Sequence, residues 1–278
     1  MNINWKTKSF VFRLIDFFNL PNVLYFLQKN VTKRSRVRDI NISPNWSQHK
    51  LILQKYNATD FIFEFGAGKT LAQNLYLSND IDNQLIVDLN PMLDFELVEQ
   101  SRKSLSSQID LKHNSTISNK KDLLKYGITY RAPFNAENTD LEDGSLSACI
   151  STNTLEHIPP DSIKKIFIEL HRTLKASGIV SAKIDYSDHY AHTDKSISLL
   201  NYLKYSDLEW KKHNHSVHYQ NRLRHFEYIE LFKMTGFTVI EETLEFAESN
   251  IPDEVVSLWN GYDDSWKATA AHVVLKKS

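Results

Sequence analysis

The 278-residue chain has one cysteine, Cys149. A single thiol excludes an internal disulfide and any Cys-x-x-Cys metal site, and fits a reducing compartment. Cys149 sits in an apolar stretch with no adjoining cation to lower its pKa, so it reads as a small buried residue, not a reactive thiol. Long apolar runs are also missing. The nearest approach, Phe10 to Leu27, is broken by Arg13, Asp16, Asn19, Pro21 and Asn22. That interruption argues against a spanning helix or a cleavable signal peptide, and the expected location is cytoplasmic. There is little charge imbalance: 33 Lys and Arg stand against 34 Asp and Glu, a formal net charge of -1. No nucleic-acid partner is expected from such a balance. No internal repeat is evident, and the length suits one core with appendages.

The even balance conceals a basic N-terminal end. Residues 1–50 carry Lys6, Lys8, Arg13, Lys29, Lys33, Arg34, Arg36, Arg38 and Lys50 against Asp16 and Asp39. Within it, Phe10, Leu14, Phe17 and Phe18 share one helical face, and Val23, Leu24, Phe26 and Leu27 follow Pro21. Two readings stay open: a helical lid on the core, or peripheral contact of residues 1–40 with the inner face of a membrane through the aromatic face and the 33–38 basic cluster. We therefore divide the chain into a basic aromatic segment, 1–50, and a main domain, 51–278, with an insertion at 186–224.

In the main domain, apolar strand patterns at 61–65, 84–88, 128–132, 146–151, 178–185, 237–242 and 270–275 alternate with helical ones. The helices are expected at 48–56, from Asn90 onward, at 161–174 with Asp161 as cap and Gly178 beyond its end, and at 225–235. Residues 101–120, rich in serine, read as a mobile polar connection. The predicted fold is α/β, a doubly wound, mostly parallel seven-stranded Rossmann-like sheet with helices on both faces and the last strand antiparallel.

The first strand ends in Glu64 and breaks into Gly66-Ala67-Gly68. A Walker A loop would need glycine where Phe63 stands, and a dinucleotide fingerprint would need it at Leu71. About twenty residues on, the second strand ends in Asp88, the offset at which a strand-end carboxylate receives a ribose. The segment Glu64-Phe65-Gly66-Ala67-Gly68-Lys69-Thr70 resembles the class I S-adenosylmethionine-dependent methyltransferases, whose first strand leads into E/D-x-G-x-G-x-G; Thr70 replaces the third glycine. The resemblance continues through Val87-Asp88-Leu89-Asn90-Pro91, Asn135-Ala136-Glu137 and Asn153-Thr154-Leu155-Glu156-His157-Ile158. It implies S-adenosylmethionine as cofactor and S-adenosylhomocysteine as product. It further implies that Glu64, Gly66, Ala67 and Gly68 face the methionyl part, that Asp88 and Leu89 meet the ribose, that Asn135 and Ala136 border the adenine, and that Asn153 and Thr154 lie below the sulfonium.

Base-specific amino methyltransferases carry N/D-P-P-Y/F after the fourth strand, where this chain has Asn153-Thr154-Leu155-Glu156, so a DNA base is not the expected acceptor. The stretch 185–224 is rich in His, Tyr, Asp and Arg and looks similar to methyltransferase-domain proteins associated with surface-polysaccharide biosynthesis. That likeness implies O-methylation of a sugar hydroxyl in a glycan or its precursor. His189 or His192 is the candidate general base, oriented by Asp188. His157, Tyr190, Tyr219, Asn221 and Arg222 are the candidate acceptor contacts. A divalent ion on His189 and His192 with Asp188 or Asp194 is an alternative that is not favoured, and no metal ligand is assigned. Two other functional readings remain: a small-molecule methyltransferase, and a non-catalytic Rossmann-like protein docking on a membrane or partner.

Overall fold

The computed structural model describes residues 4–18, 20, 40–247 and 251–278. Seven strands form one sheet: β1 (Ile62–Phe65), β2 (Gln84–Val87), β3 (Ile128–Arg131), β4 (Leu146–Thr152), β5 (Leu174–Asp185), β6 (Phe237–Phe246) and β7 (Ala268–Lys277). Their order is β3-β2-β1-β4-β5-β7-β6. β1 to β5 pair in parallel, and β7 runs antiparallel between β5 and β6. The expected seven-stranded Rossmann-like sheet is therefore present. Its strand order reverses between β1 and β4, and the crevice outside the carboxyl ends of such strands is where open α/β sheets bind ligands.

The central strands are buried on both faces because helices cover both. Side chains alternate along each strand. Phe63, Phe65, Leu85, Val87 and Cys149 point to one core, shared with Ile163, Phe167 and Leu170 of the Pro160–Thr173 helix and with Tyr228 and Phe232 of the His225–Met234 helix. Ile62, Ala148 and Ile150 point the other way, toward Ile52 and Leu53 of the Pro44–Lys55 helix, and Ile86 toward Val98 and Leu105 of the Phe95–Ser106 helix. Cys149 is fully buried, as its apolar setting implied.

Several local expectations are corrected. The helix after β2 begins at Phe95 rather than near Asn90, because Asp94 caps it by accepting from the Glu96 and Leu97 amides. Residues 101–120 are not a loose connection. Ser101, Arg102, Leu105 and Ile117 are buried, the Ser101 hydroxyl donates to the Leu97 carbonyl, and Glu99 binds both the Arg102 guanidinium and the Ile117 amide. Serines that back-bond within a helix look in sequence like serines of a linker. Asp161 lies in the first turn of the Pro160–Thr173 helix, whose cap position is Pro159, and β5 already starts at Leu174, ahead of Gly178.

The N-terminal Trp5–Phe17 helix turns the opposite side inward from the one its aromatics suggested. Trp5, Ser9, Phe12 and Ile15 are buried, whereas Phe10, Phe17 and Phe18 are 58%, 80% and 62% exposed. Polar anchors decide the rotation. Asp194 accepts from the Trp5 amide at 2.8 Å, and the Ser9 hydroxyl meets His213 Nδ1 at 2.8 Å. Around them Trp5, Phe12 and Ile15 pack with Tyr190, Leu200, Tyr202, Leu203 and Trp210 of the 186–224 segment as a second, smaller core. The apolar piece at 23–27 and the basic cluster at 33–38 lie outside the described residues. Among the described residues, no helix is long and apolar enough to cross a membrane.

Candidate active site

The carboxyl ends of β1 and β2 build one half of the site. Gly66 and Gly68 both adopt left-handed backbone, φ +77° and +76°, which lets the chain turn away from β1 at once. A Cβ on Gly66 would overlap the Thr154 methyl, so the closeness of the β1 and β4 ends requires a glycine there. Glu64, just ahead, is buried and accepts from Gln73 Nε2 at 3.1 Å and Asn74 Nδ2 at 2.6 Å. Burial outweighs these amide bonds and lifts its pKa to about 7. Asp88, at the end of β2, is also buried. It accepts from Tyr130 Oη at 2.8 Å and from the Gly68 amide, and burial raises its pKa.

Two cavities meet at Gly66. One, about 150 Å³, is lined by Glu64, Ala67, Gln73, Asn74, Trp46 and Thr152. The other, about 330 Å³, is lined by Asp88, Leu89, Asn135, Ala136, Thr154 and His157, with Met92, Phe134 and Ile166 supplying apolar wall. The structure thus brings the predicted cofactor residues of all four strand ends together around one turn. Asn153 takes a left-handed conformation at φ +49°, is exposed and lines neither cavity; Thr154 behind it closes the wall and donates to the Gly66 carbonyl at 3.3 Å. The donor set fits an adenosyl-methionyl ligand. A buried carboxylate has acceptor capacity left for hydroxyls, apolar walls suit a purine, and a second carboxylate sits at the far end for an ammonium.

Sequence reasoning missed a buried polar chain behind Glu64. Gln73 Oε1 accepts from Thr152 Oγ1 at 2.9 Å, and Thr152 Oγ1 meets His49 Nε2 at 3.0 Å. His49 Nδ1 meets Ser181 Oγ, which meets His272 Nε2, both at 2.8 Å. Because Thr152 donates onward, His49 must carry its proton on Nε2. Burial holds His49 well below the usual imidazole range and brings His272 to about 4, so both rings are neutral at pH 7. No motif marks these residues; only Ser181 and His272 stand as polar side chains inside apolar runs, which is the available signal.

The ends of β4 and β5 form the other half. His157 Nδ1 lies 2.9 Å from the Tyr219 carbonyl, and its ring lies 4.9 Å from His189, tilted by 55°, while His189 stacks at 5.0 Å on His192. The carboxylate facing these rings is Asp185, with Oδ2 3.4 Å from His189 Nε2 and 3.8 Å from His192 Nε2. The assignment of Asp188 as the orienting acid is corrected. Asp188 is buried and turned away, accepting from Asn201 Nδ2 at 2.9 Å and the Tyr190 amide at 2.8 Å. Asp194 is likewise occupied by Trp5 and Ser196. Both face the second core, so neither can join His189 and His192 around an ion.

Three expected acceptor contacts are spent on structure. Tyr190 is buried, with its hydroxyl on the His213 carbonyl at 2.7 Å. Asn221 Nδ2 bonds the Leu155 and Ile158 carbonyls, both at 2.8 Å, and so fixes the loop after β4. The Arg222 guanidinium binds the Tyr202 and Tyr205 carbonyls and Asp207. Tyr219, half-buried, and Arg222 nevertheless edge a third cavity of about 740 Å³, together with Tyr205, Trp210, Trp259 and Asn214.

Residues 98–182 match the methyltransferase domain family; this stretch covers β3, β4 and β5 as far as Ala182 and begins after the glycine turn and Asp88. A comparison with curated proteins gave no match. Among solved structures, the chain resembles a Burkholderia thailandensis 1,6-didemethyltoxoflavin-N1-methyltransferase with bound 1,6-didemethyltoxoflavin and S-adenosylhomocysteine, at TM-score 0.53 and 12% identity over 94% of this chain and 89% of that one. It also resembles a Clostridium acetobutylicum S-adenosylmethionine-dependent methyltransferase, at TM-score 0.49 and 14% identity over 92% of this chain and 98% of that one. At 12% identity the likeness to the first of these shows the fold. Within that fold residues 98–182 match a methyltransferase domain, and the two cavities at Gly66 have the lining to take an adenosyl-methionyl ligand.

Proposed function

We propose that the protein O-methylates a sugar hydroxyl of a glycan or glycan precursor. One observation carries the acceptor class: the cavity of about 740 Å³, edged by Tyr219 and Asn221, which hold His157 and the loop after β4, combines the aromatic rings of Tyr205, Trp210, Tyr219 and Trp259 with Asn214, Gln220 and Arg222. Rings offer flat apolar faces suited to the C–H faces of a sugar, while the Asn214 side chain is bonded to the Gln220 backbone and the Gln220 side chain to the Ser187 and His189 backbone, which fixes the shape of the wall. When bound, S-adenosylmethionine supplies the methyl carbon and leaves as S-adenosylhomocysteine. Asp88 holds the ribose hydroxyls, Glu64 the amino group, and Asn135 and Ala136 border the base. His192 would take the proton of the acceptor hydroxyl. That ring is about half exposed, and Asp185 and Ser187 Oγ, 3.0 Å away, orient it. Burial lowers its pKa, so neutral imidazole is available near pH 7 to accept the proton.

The test is transfer of labelled methyl from S-adenosylmethionine to a panel of glycans, nucleotide sugars and lipid-linked oligosaccharides. Label in an ether on a sugar is expected. Label only in small non-sugar acceptors favours the small-molecule alternative, and binding of cofactor with no transfer to any acceptor favours the non-catalytic one.

Glu64 gives this reading a pH signature. Its folded pKa of about 7 lies above the ordinary glutamate value of 4.5. For this group alone, the free folded chain holds the proton more tightly than the unfolded one, so stability falls as pH rises from about 4.5 to about 7. A bound ammonium favours the ionised form and expels that proton. Affinity for S-adenosylhomocysteine is therefore expected to rise with pH through about 7 and level off above. Titration calorimetry between about pH 5.5 and 8.5 should show this slope in the wild type and a flat profile in Glu64→Gln; an unchanged slope in the variant removes Glu64 from the role.

A further inference from the structure

We propose that Glu156, His157 and His189 form a site for a divalent transition-metal ion of the zinc class, on the acceptor side of the cofactor cavity. Among the described residues, these three offer ligand atoms that all lie within 4.8 Å of one another. Proximity alone would not make a site. The second observation is that Glu156 is 2% exposed and neither carboxylate oxygen has a hydrogen-bond partner. Leaving a buried polar group unpaired costs about 1–3 kcal/mol, and more for a charged one, so native structures rarely do it. His189 Nε2 is also buried without a hydrogen bond; its 3.4 Å approach to Asp185 lacks the alignment of one.

The tautomer of His157 points the same way. Its Nδ1 can only donate to the Tyr219 carbonyl, which leaves the Nε2 lone pair unprotonated. A backbone carbonyl on the other ring nitrogen is the usual support of a metal-bound histidine. The His189 amide is held in turn by Gln220 Oε1 at 3.2 Å, and Asp185 is held by the Ser187 amide at 2.8 Å. Two imidazoles and one carboxylate suit zinc, cobalt or manganese better than calcium or magnesium. Three protein ligands also leave a coordination position open. Resting on the methyltransferase reading, that position takes an acceptor oxygen, lowers its pKa and sets it beside His192, the proton acceptor. His157 lines the cofactor cavity, so the ion stands at the boundary between donor and acceptor.

The test uses the full chain stripped of metal with a chelator, then titrated with Zn2+ by calorimetry and with Co2+ by visible absorption. One equivalent should bind, with Co2+ giving the spectrum of a nitrogen-and-oxygen site. Glu156→Gln and His189→Ala should each weaken binding by more than the roughly 10–100-fold that loss of an outer-shell partner costs. S-adenosylhomocysteine affinity, measured on the same variants, should stay within a few-fold of wild type and so report that they are folded. No stoichiometric binding, or binding that both variants leave unchanged, overturns the proposal. Metal binding without cofactor binding would instead overturn the cofactor placement and leave the metal site standing.

Discussion

Arg224→Ala is expected to lower folding stability by about 3–5 kcal/mol, the range for leaving buried polar partners unpaired around a truncated buried charge. Arg224 is fully buried. Its Nε donates to the Trp266 carbonyl at 2.9 Å, and Nη1 to the Tyr186 carbonyl at 2.8 Å and to Tyr202 Oη at 2.7 Å; Nη2 donates to the Ala268 carbonyl. One guanidinium thus ties the chain leaving β5, the 186–224 segment and the start of β7. Truncation takes a donor from three carbonyls, of which only that of Tyr186 keeps a second side-chain donor, Tyr202 Oη at 2.7 Å, among the described residues, and it opens a cavity beneath the Tyr186 ring, 5.4 Å from the guanidinium carbon. Lysine should not rescue it, since one ammonium cannot reproduce the planar fork. Urea unfolding followed by fluorescence checks both; a loss below about 1 kcal/mol, no more than a typical single hydrogen bond contributes, would mean that the segment is fastened elsewhere.

Asp88→Ala is expected to weaken S-adenosylmethionine and S-adenosylhomocysteine binding about 100-fold or more. Hydrogen bonds to a charged group are worth about 1.5–3 kcal/mol each, and the ribose presents two hydroxyls. Stability should change much less, because the buried carboxylate carries its own desolvation cost in the free protein and its removal relieves that burden. Among the described residues, the side-chain donor that loses its acceptor is Tyr130, whose Oη also accepts from the Met92 amide at 3.2 Å. Calorimetry on folded variant is the check. Retained affinity would place the ribose away from β2.

The sheet was legible because buried strands write themselves as short apolar runs, and Phe61–Phe65, Gln84–Asp88 and Leu146–Ser151 have few other ways to be buried. The cofactor turn was legible too, since left-handed backbone at Gly66 and Gly68 and carboxylates at strand ends are local features. Partners distant in sequence were not. Asp185 rather than Asp188 faces the histidines because the chain leaving β5 turns Asp188 into a bond with Asn201, thirteen residues on. Nothing local distinguishes two acids three residues apart once the strand has ended. The N-terminal helix failed for a related reason: Ser9 and the Trp5 amide find His213 and Asp194 across 204 and 189 residues, and those contacts outrank the aromatic stripe. Glu156 was visible inside the Asn153-to-Ile158 motif, but its lack of any partner is a property of the folded surroundings alone.

The arrangement of donor and acceptor around Gly66 is tested most directly by a crystal structure of the protein with S-adenosylhomocysteine. The ligand should span both cavities at the turn, with its amino group on Glu64, its ribose on Asp88, its adenine between Asn135 and Ile166, and its sulfur toward Thr154 and His157. A ligand bound elsewhere, or one whose sulfur faces away from His157 and the Asp185 cluster, would contradict it.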